Sequence, residues 1–205
     1  MKRLIKPFLF SSFIFSQYPA DTLFVSTKAS AIEKILIYPI TKWQRISYGS
    51  PSVNCQFYPS CSQYGAIAIH DKGPLIGLFA TSDRIIRCNQ SAYQSHVKID
   101  GAYYEDGRMI DMLNYGIRKD AKSPIFAGIL SIVPGFGRIY SNRITDGFFG
   151  FLLTSVAYQT AKRSIDNKSI LSPFFIASAL ILHGGEIYGA YRTAKYYHPP
   201  KKLNE

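Results

Sequence analysis

Cysteine is scarce in this chain of 205 residues, with only Cys55, Cys61 and Cys88. An odd number cannot pair fully into disulfides within one chain. Histidine is scarce too. His70 lies nine residues beyond Cys61, about 13 Å along a shared helix axis, too far to join it on a metal. His96 falls on an aperiodic stretch. No Cys/His pair stands at zinc-ligand spacing, so neither metal nor cofactor is expected. No histidine is spaced to act as base for a thiol, and no carboxylate is spaced to orient one, so an enzyme is not expected either. Acidic residues are few: 13 against 24 Lys and Arg, for a net charge of +11. That balance suits anionic lipid head groups or nucleic acid. The excess is spread, with 15 basic against 9 acidic residues in 1–122 and 9 against 4 in 123–205. No charged arm, RNA-binding signature or helix-turn-helix is present, and nucleic acid is set aside. Nothing marks a small-molecule substrate. The sequence predicts an all-α protein.

What is present starts at the cysteines. Pro59 and Ser60 look like a helix start, with Ser60 and Gln63 at capping-box spacing. The helix should run to about His70 or Asp71 and break at Gly73-Pro74, where glycine suits a C′ position and proline the first turn. A second helix, about Pro74 to Cys88, carries Leu75, Leu78, Phe79, Ile85 and Ile86 on one side. Cys61 precedes Gly73 by 12 residues and Cys88 follows Pro74 by 14, so an antiparallel hairpin brings both to one end, within reach of Cys55. At a helix N-terminus, and with Arg84 and Arg87 nearby, Cys61 is the thiol expected to have a lowered pKa. The default use of the three is structural. Arg84 and Arg87 share a helix face, where they could favour the helix dipole, bind lipid phosphate, contact an acidic partner, or simply be solvated.

These residues also carry a resemblance. Cys55-x-Phe57-x-Pro59-Ser60-Cys61-Ser62-x-Tyr64, then Ala68-Ile69, Gly73, Gly77 and Asp83-Arg84-Ile85-Ile86-Arg87-Cys88, together with Trp43-Gln44 and Ile46-Ser47 upstream, are similar to the membrane protein insertion efficiency factor family (YidD) over about residues 31–113. Departures are Ile46-Ser-Tyr-Gly-Ser-Pro51 for the usual Ile-Ser-Pro, Asn89-Gln90 for His-Pro, and the missing Gly-Gly-x-Asp-Pro ending. The resemblance implies a non-catalytic accessory role in placing proteins into the bacterial inner membrane. The implied partners are nascent membrane proteins and the YidC/Sec machinery. Readings from other classes are a membrane-bound thiol or redox enzyme of the envelope and an envelope structural module.

Around this region lie candidate membrane elements. Lys2, Arg3 and Lys6, an apolar run from Pro7 to Phe15, and Ala20 before Asp21 follow the order of a secretory signal; residues 1–30 are therefore a signal-like or anchoring segment. In 31–46, Ile32, Ile35, Leu36, Ile40 and Trp43 fall on one helical face opposite Glu33, Lys34, Lys42 and Arg45. That suits an interfacial helix on anionic lipid or ordinary core packing, with Pro39 predicting a kink or two short helices. Residues 89–121 predict little regular structure, and Lys119–Lys122 a linker. In 122–198, apolar segments at 148–161 and 170–190 predict a membrane-helix hairpin, similar to a bacterial membrane-hairpin domain of uncharacterised function, with a soluble helical bundle as the competing reading. Gly185-x-x-x-Gly189 would permit close helix approach. Glu186 needs a partner such as Arg138, His183 or a tyrosine. Flanking charge favours both hairpin ends in the cytoplasm, whereas a cleaved signal puts the cysteines on the other side.

Overall fold

The computed structural model describes residues 18–50, 55–98, 101–111 and 122–196. Among them are α1 (Pro19–Val25), α2 (Ala31–Ser47), β1 (Phe57–Tyr58), α3 (Cys61–Lys72), α4 (Pro74–Arg87), α5 (Ala92–Lys98), β2 (Met109–Ile110), α6 (Pro124–Leu130), α7 (Phe136–Tyr140), α8 (Ile144–Asp166) and α9 (Ser172–Tyr196). The chain is mostly helical, as expected. The exception is a two-residue parallel pair, Phe57 against Met109 and Tyr58 against Ile110, formed where little regular structure was predicted. It returns the chain to the start of the hairpin after α3, α4 and α5.

The hairpin follows its local signals. The Ser60 hydroxyl accepts the Gln63 N–H at 3.3 Å, closing the first turn of α3. Gly73, at φ 79°, ends α3 and begins α4. The two helices meet closely because Gly77 has no side chain; a Cβ there would lie 2.4 Å from the backbone of Ile69. A second capping signal, Ser30 with Glu33, was not singled out in the sequence. It forms both hydrogen bonds of a capping box at the start of α2.

Pro39 does not divide α2, which runs as one helix. Its predicted stripe does divide. Leu36 and Ile40 pack on the cluster of Ala20, Ile37, Ala66 and Ile69, while Ile32, Ile35 and Trp43 are exposed. The inward face of α2 is Ile37, Thr41, Gln44 and Ser47. Two of its polar members have partners: the Thr41 hydroxyl donates to the Tyr38 carbonyl at 2.8 Å, and Gln44 accepts the Ala20 N–H at 3.0 Å and donates to the Ser62 hydroxyl at 3.2 Å.

Residues 1–17 of the signal-like segment lie outside the described residues, as do 119–121 of the expected linker. Ala20, the small residue expected before a cleavage point, is wholly buried within α1, and Asp21 pairs with Arg45 at 3.0 Å. A cut between Ala20 and Asp21 would remove part of this core.

The expected C-terminal membrane hairpin is corrected. Helices α8 and α9 form, but no helix among the described residues is long and apolar enough to cross a membrane. Length is not the obstacle; polar content is. Helix α8 holds Asp146, Thr154, Gln159, Lys162 and Arg163, and α9 holds His183, Glu186, Arg192 and Lys195. With no crossing helix, the flanking-charge argument about orientation has no hairpin to act on.

Helix α4 lies between α3 and α9, and α6, α7 and α8 gather around α9. The interior of this half holds small residues. Those buried in α8 are Asp146, Gly147, Gly150, Thr154, Ala161 and Ser164. Ala127, Ala190 and Ala194 cluster between α6 and α9. Large side chains such as Ile125, Ile132, Phe148, Val156 and Phe174 face outward, each more than half exposed.

Candidate functional site

The hairpin brings the three thiols together. Cys61 opens α3, Cys88 follows α4, and Cys55 comes from the loop before β1; the three sulfurs lie within 4.8 Å of one another. The Cys55 and Cys61 sulfurs are 3.3 Å apart and all three are free, half-buried thiols. Phe57, Ala92 and Met109 form the apolar wall behind them. The expectation of no close-spaced ligand set fails for a simple reason. The ligand set is not a close-spaced sequence pair but forms across 33 positions, where the α3–α4 hairpin sets Cys61 and Cys88 beside Cys55. His70 and His96 are not members: His70 stands 3.9 Å from Glu33, and His96 pairs with the Ala102 carbonyl at 2.7 Å.

The reactive sulfur also differs from the one expected. The helix N-terminus works on Cys55, because the Cys61 N–H donates to the Cys55 sulfur at 3.2 Å. Hydrogen bonds from the Cys61 and Cys88 thiols bring the Cys55 thiol down to about 2, with backbone N–H groups of Phe57 and Cys61 helping and burial opposing. Cys61 and Cys88 move up, each chiefly because it is the partner that keeps its proton beside the Cys55 thiolate. The trio thus shares one readily lost proton and titrates as a unit.

Behind Phe57 lies the second arrangement. Arg84 and Arg87 lie over the Phe57 ring at 5.0 and 5.8 Å, and Arg84 also covers Tyr64 at 4.2 Å. Arg84 donates to the Pro59 carbonyl at 2.6 Å, tying α4 to the start of α3. Neither arginine forms a solvated basic face open to lipid phosphate; Arg84 is wholly buried and Arg87 nearly so. Their partners are internal. Arg87 joins Asp83 at 3.1 Å and Asp111 at 2.8 Å. Arg192 of α9 reaches the same two carboxylates at 3.3 and 3.2 Å. Arg138 of α7 bridges Asp83 at 2.9 Å and Glu186 at 2.8 Å, and Glu186 also accepts the Gly135 N–H at 2.8 Å. Arg138 is thus the partner of Glu186, one of those expected. His183 instead joins the Tyr158 hydroxyl at 2.8 Å.

Glycine makes room for this network. A Cβ on Gly189 would lie 2.2 Å from both Asp83 Oδ1 and Arg138 Nη2, and one on Gly185 would lie 2.4 Å from Ser82 Oγ. The close approach expected of Gly185 and Gly189 therefore occurs, and its partner is α4. Burial raises the cost of ionising Asp83 and Asp111. Arg87, Arg138 and Arg192 around Asp83, and Arg87, Arg192 and Arg84 around Asp111, outweigh it and hold both carboxyls below their ordinary range. Burial alone dominates at Tyr64, pushing its phenol up to about 12. Sequence reasoning missed Asp83, Asp111 and Arg192. Only the Asp83–Arg87 pair left a local sign, at i,i+4 spacing.

Taken together, these elements make a small helical protein tied across its helices by a buried ion network, with three free thiols gathered at the start of α3. Comparison places it more narrowly. Residues 32–98 match the YidD family model, described as "Putative membrane protein insertion efficiency factor". A relative of that description from Baumannia cicadellinicola is 43% identical over 60 residues, covering 29% of this chain and 71% of the relative. Another from Geobacter sp. strain M21 is 33% identical over 58 residues, covering 28% and 83%. A third, from Exiguobacterium sp., is 39% identical over 57 residues, covering 28% and 64%. The chain belongs to this family. No solved structure matches it. The matched segment contains the thiol cluster, Asp83, Arg84 and Arg87, and stops before Asp111, Arg138, Glu186 and Arg192.

Proposed function

We infer that this protein is a non-catalytic accessory factor that assists insertion of integral proteins into the bacterial inner membrane, working at the bilayer surface beside the YidC/Sec machinery. Family membership supports the insertion role. The observation that carries the membrane setting is the reversed polarity of α6–α9, small and charged within and large and apolar without. In water such an exterior is costly, and contiguous apolar surface of this kind marks a membrane or protein contact. In lipid, helices associate through small residues and leave large apolar ones to the hydrocarbon. The protein therefore sits in the interface without spanning it, with Ile32, Ile35, Trp43 and Ile46 of α2 extending the apolar contact. Lys42, exposed on the same helix, meets anionic head groups, such a charge contributing about 1 kcal/mol. Cys55, Phe57, Pro59, Ser60, Cys61, Ser62, Tyr64, Gly73, Gly77, Arg84, Arg87 and Cys88 form the structural unit held at that surface. Residues 1–30, 31–113 and 122–198 are successive parts of the chain, the last an anchoring platform for the second.

Two measurements test this. Depleting the protein should slow insertion of inner-membrane clients in a pulse-labelled protease-protection assay; unchanged kinetics would remove the insertion role. The purified full chain should float with vesicles containing anionic lipid and less well with zwitterionic ones. Equal absence from both would remove the interfacial placement.

A further inference from the structure

The thiol cluster has the geometry of a binding site. We propose that Cys55, Cys61 and Cys88 together bind one thiophilic closed-shell cation, Cu⁺ or Zn²⁺, which staples the start of α3 to the end of α4. Metal–sulfur bonds of about 2.3 Å put sulfurs about 4.0 Å apart around a trigonal ion and about 3.8 Å apart around a tetrahedral one. The observed separations, from 3.3 Å up to no more than 4.8 Å, bracket both values. Small side-chain rotations suffice to close the set.

Surrounding groups suit thiolates. The Cys61 N–H already points at the Cys55 sulfur, and the Gln56 amide donates to the Cys88 sulfur at 3.5 Å. Such outer hydrogen bonds orient metal-bound ligands and stabilise their charge. Arg108 lies within electrostatic reach of Cys55. Binding a cation releases the thiol protons to solvent as each sulfur becomes a ligand.

Among the described residues no fourth His, Cys, Asp or Glu atom joins the group. Three thiolates complete the shell of a trigonal Cu⁺. Zn²⁺ would need a water molecule as its fourth ligand. An open groove lined by Gln56, Cys88, Asn89, Phe149 and Leu153 reaches the cluster, giving an ion or water a way in.

The test uses the reduced full-length chain under anaerobic conditions, challenged in separate arms with Cu⁺ and Zn²⁺, and with Co²⁺ as a spectroscopic stand-in for Zn²⁺. One equivalent should survive gel filtration, Co²⁺ should show an intense thiolate charge-transfer band, and thermal stability should rise on loading. The arm that retains metal against a competing chelator identifies the ion. Cys55→Ser, Cys61→Ser and Cys88→Ser should each weaken retention more than the about 10–100-fold typical of lost outer partners, and Gln56→Ala should fall within that range. Failure of the reduced wild-type chain, folded by circular dichroism, to retain either ion overturns the proposal whatever the variants do. So does equal retention by Cys55→Ser, or isolation of a Cys55–Cys61 disulfide that takes up no metal after reduction.

Discussion

The two halves of this molecule bury different kinds of side chain. Around the cysteines, α1 to α4 bury Phe57, Tyr64, Ile69 and Ile86, as a protein in water does. In α6 to α9 the buried positions go to glycine, alanine, serine, threonine and charged groups, and the bulky apolar side chains turn out. The first half is held together by removing apolar area from water, at about 25 cal/mol per Å². The second cannot be, since little large apolar surface enters its interior. It relies on close backbone approach and on a buried ion network shared with α4. The lesson is that one ion network joins two interiors built differently, one from large apolar side chains and one from small residues and charges.

The sharpest way to break this contrast is at Arg138, the cation shared by Asp83 and Glu186. Arg138→Met leaves two buried carboxylates short of a partner and should cost about 3–5 kcal/mol in denaturant unfolding. Arg138→Met with Glu186→Gln should recover part of that loss; no recovery would mean the pair is not coupled. Next is Gly189→Ala, whose methyl group meets Asp83 and Arg138. It should cost about 1–3 kcal/mol, whereas Gly128→Ala, with nothing within 4 Å, should cost far less.

Acid offers a third test. Asp83 and Asp111 have folded pKa values below their unfolded ones, so they stabilise the fold fully above the ordinary carboxylate range, near about 3.9. That stability declines as pH falls below this range through the depressed folded values. Melting temperature should therefore hold from pH 7 to 5 and drop steeply below 4. In Arg138→Met the Asp83 contribution to that drop should shrink. The smallest expected effect on stability belongs to the outer face. Phe148→Ser and Ile132→Ser should each change unfolding free energy by no more than about 0.5 kcal/mol, yet lower vesicle flotation measurably. A large stability loss instead would show that these side chains are core.

Much of the hairpin was readable from local chemistry. Ser60, Gly73 and Pro74 each impose a conformation on their neighbours and need no distant residue to do so. The meeting of Cys55, Cys61 and Cys88 followed from helix rise and a short turn. The stripe on α2 was harder, because Gln44 is polar yet faces inward, where the Ala20 N–H and the Ser62 hydroxyl supply its hydrogen-bond partners. Helices α8 and α9 were found, but their apolar composition pointed to a spanning hairpin when many of their large apolar side chains are exposed and polar residues fall too often along them to cross a membrane. Composition reports how much apolar surface exists and not which way it faces.

The amino-acid order alone determined α2, α3, α4, α8 and α9, the α3–α4 turn, the convergence of the thiols and the family, since each rests on contacts between residues near in sequence or on a contiguous motif; α5, inside the stretch read as irregular, was not among them. Only the folded chain decided that Cys55 is the acidic sulfur, that Arg84 and Arg87 are buried, and that Asp83 pairs with Arg138 and Arg192 across 55 and 109 positions. A charge can be satisfied by any opposite charge of suitable reach. Which one it meets depends on where glycine lets two helices touch.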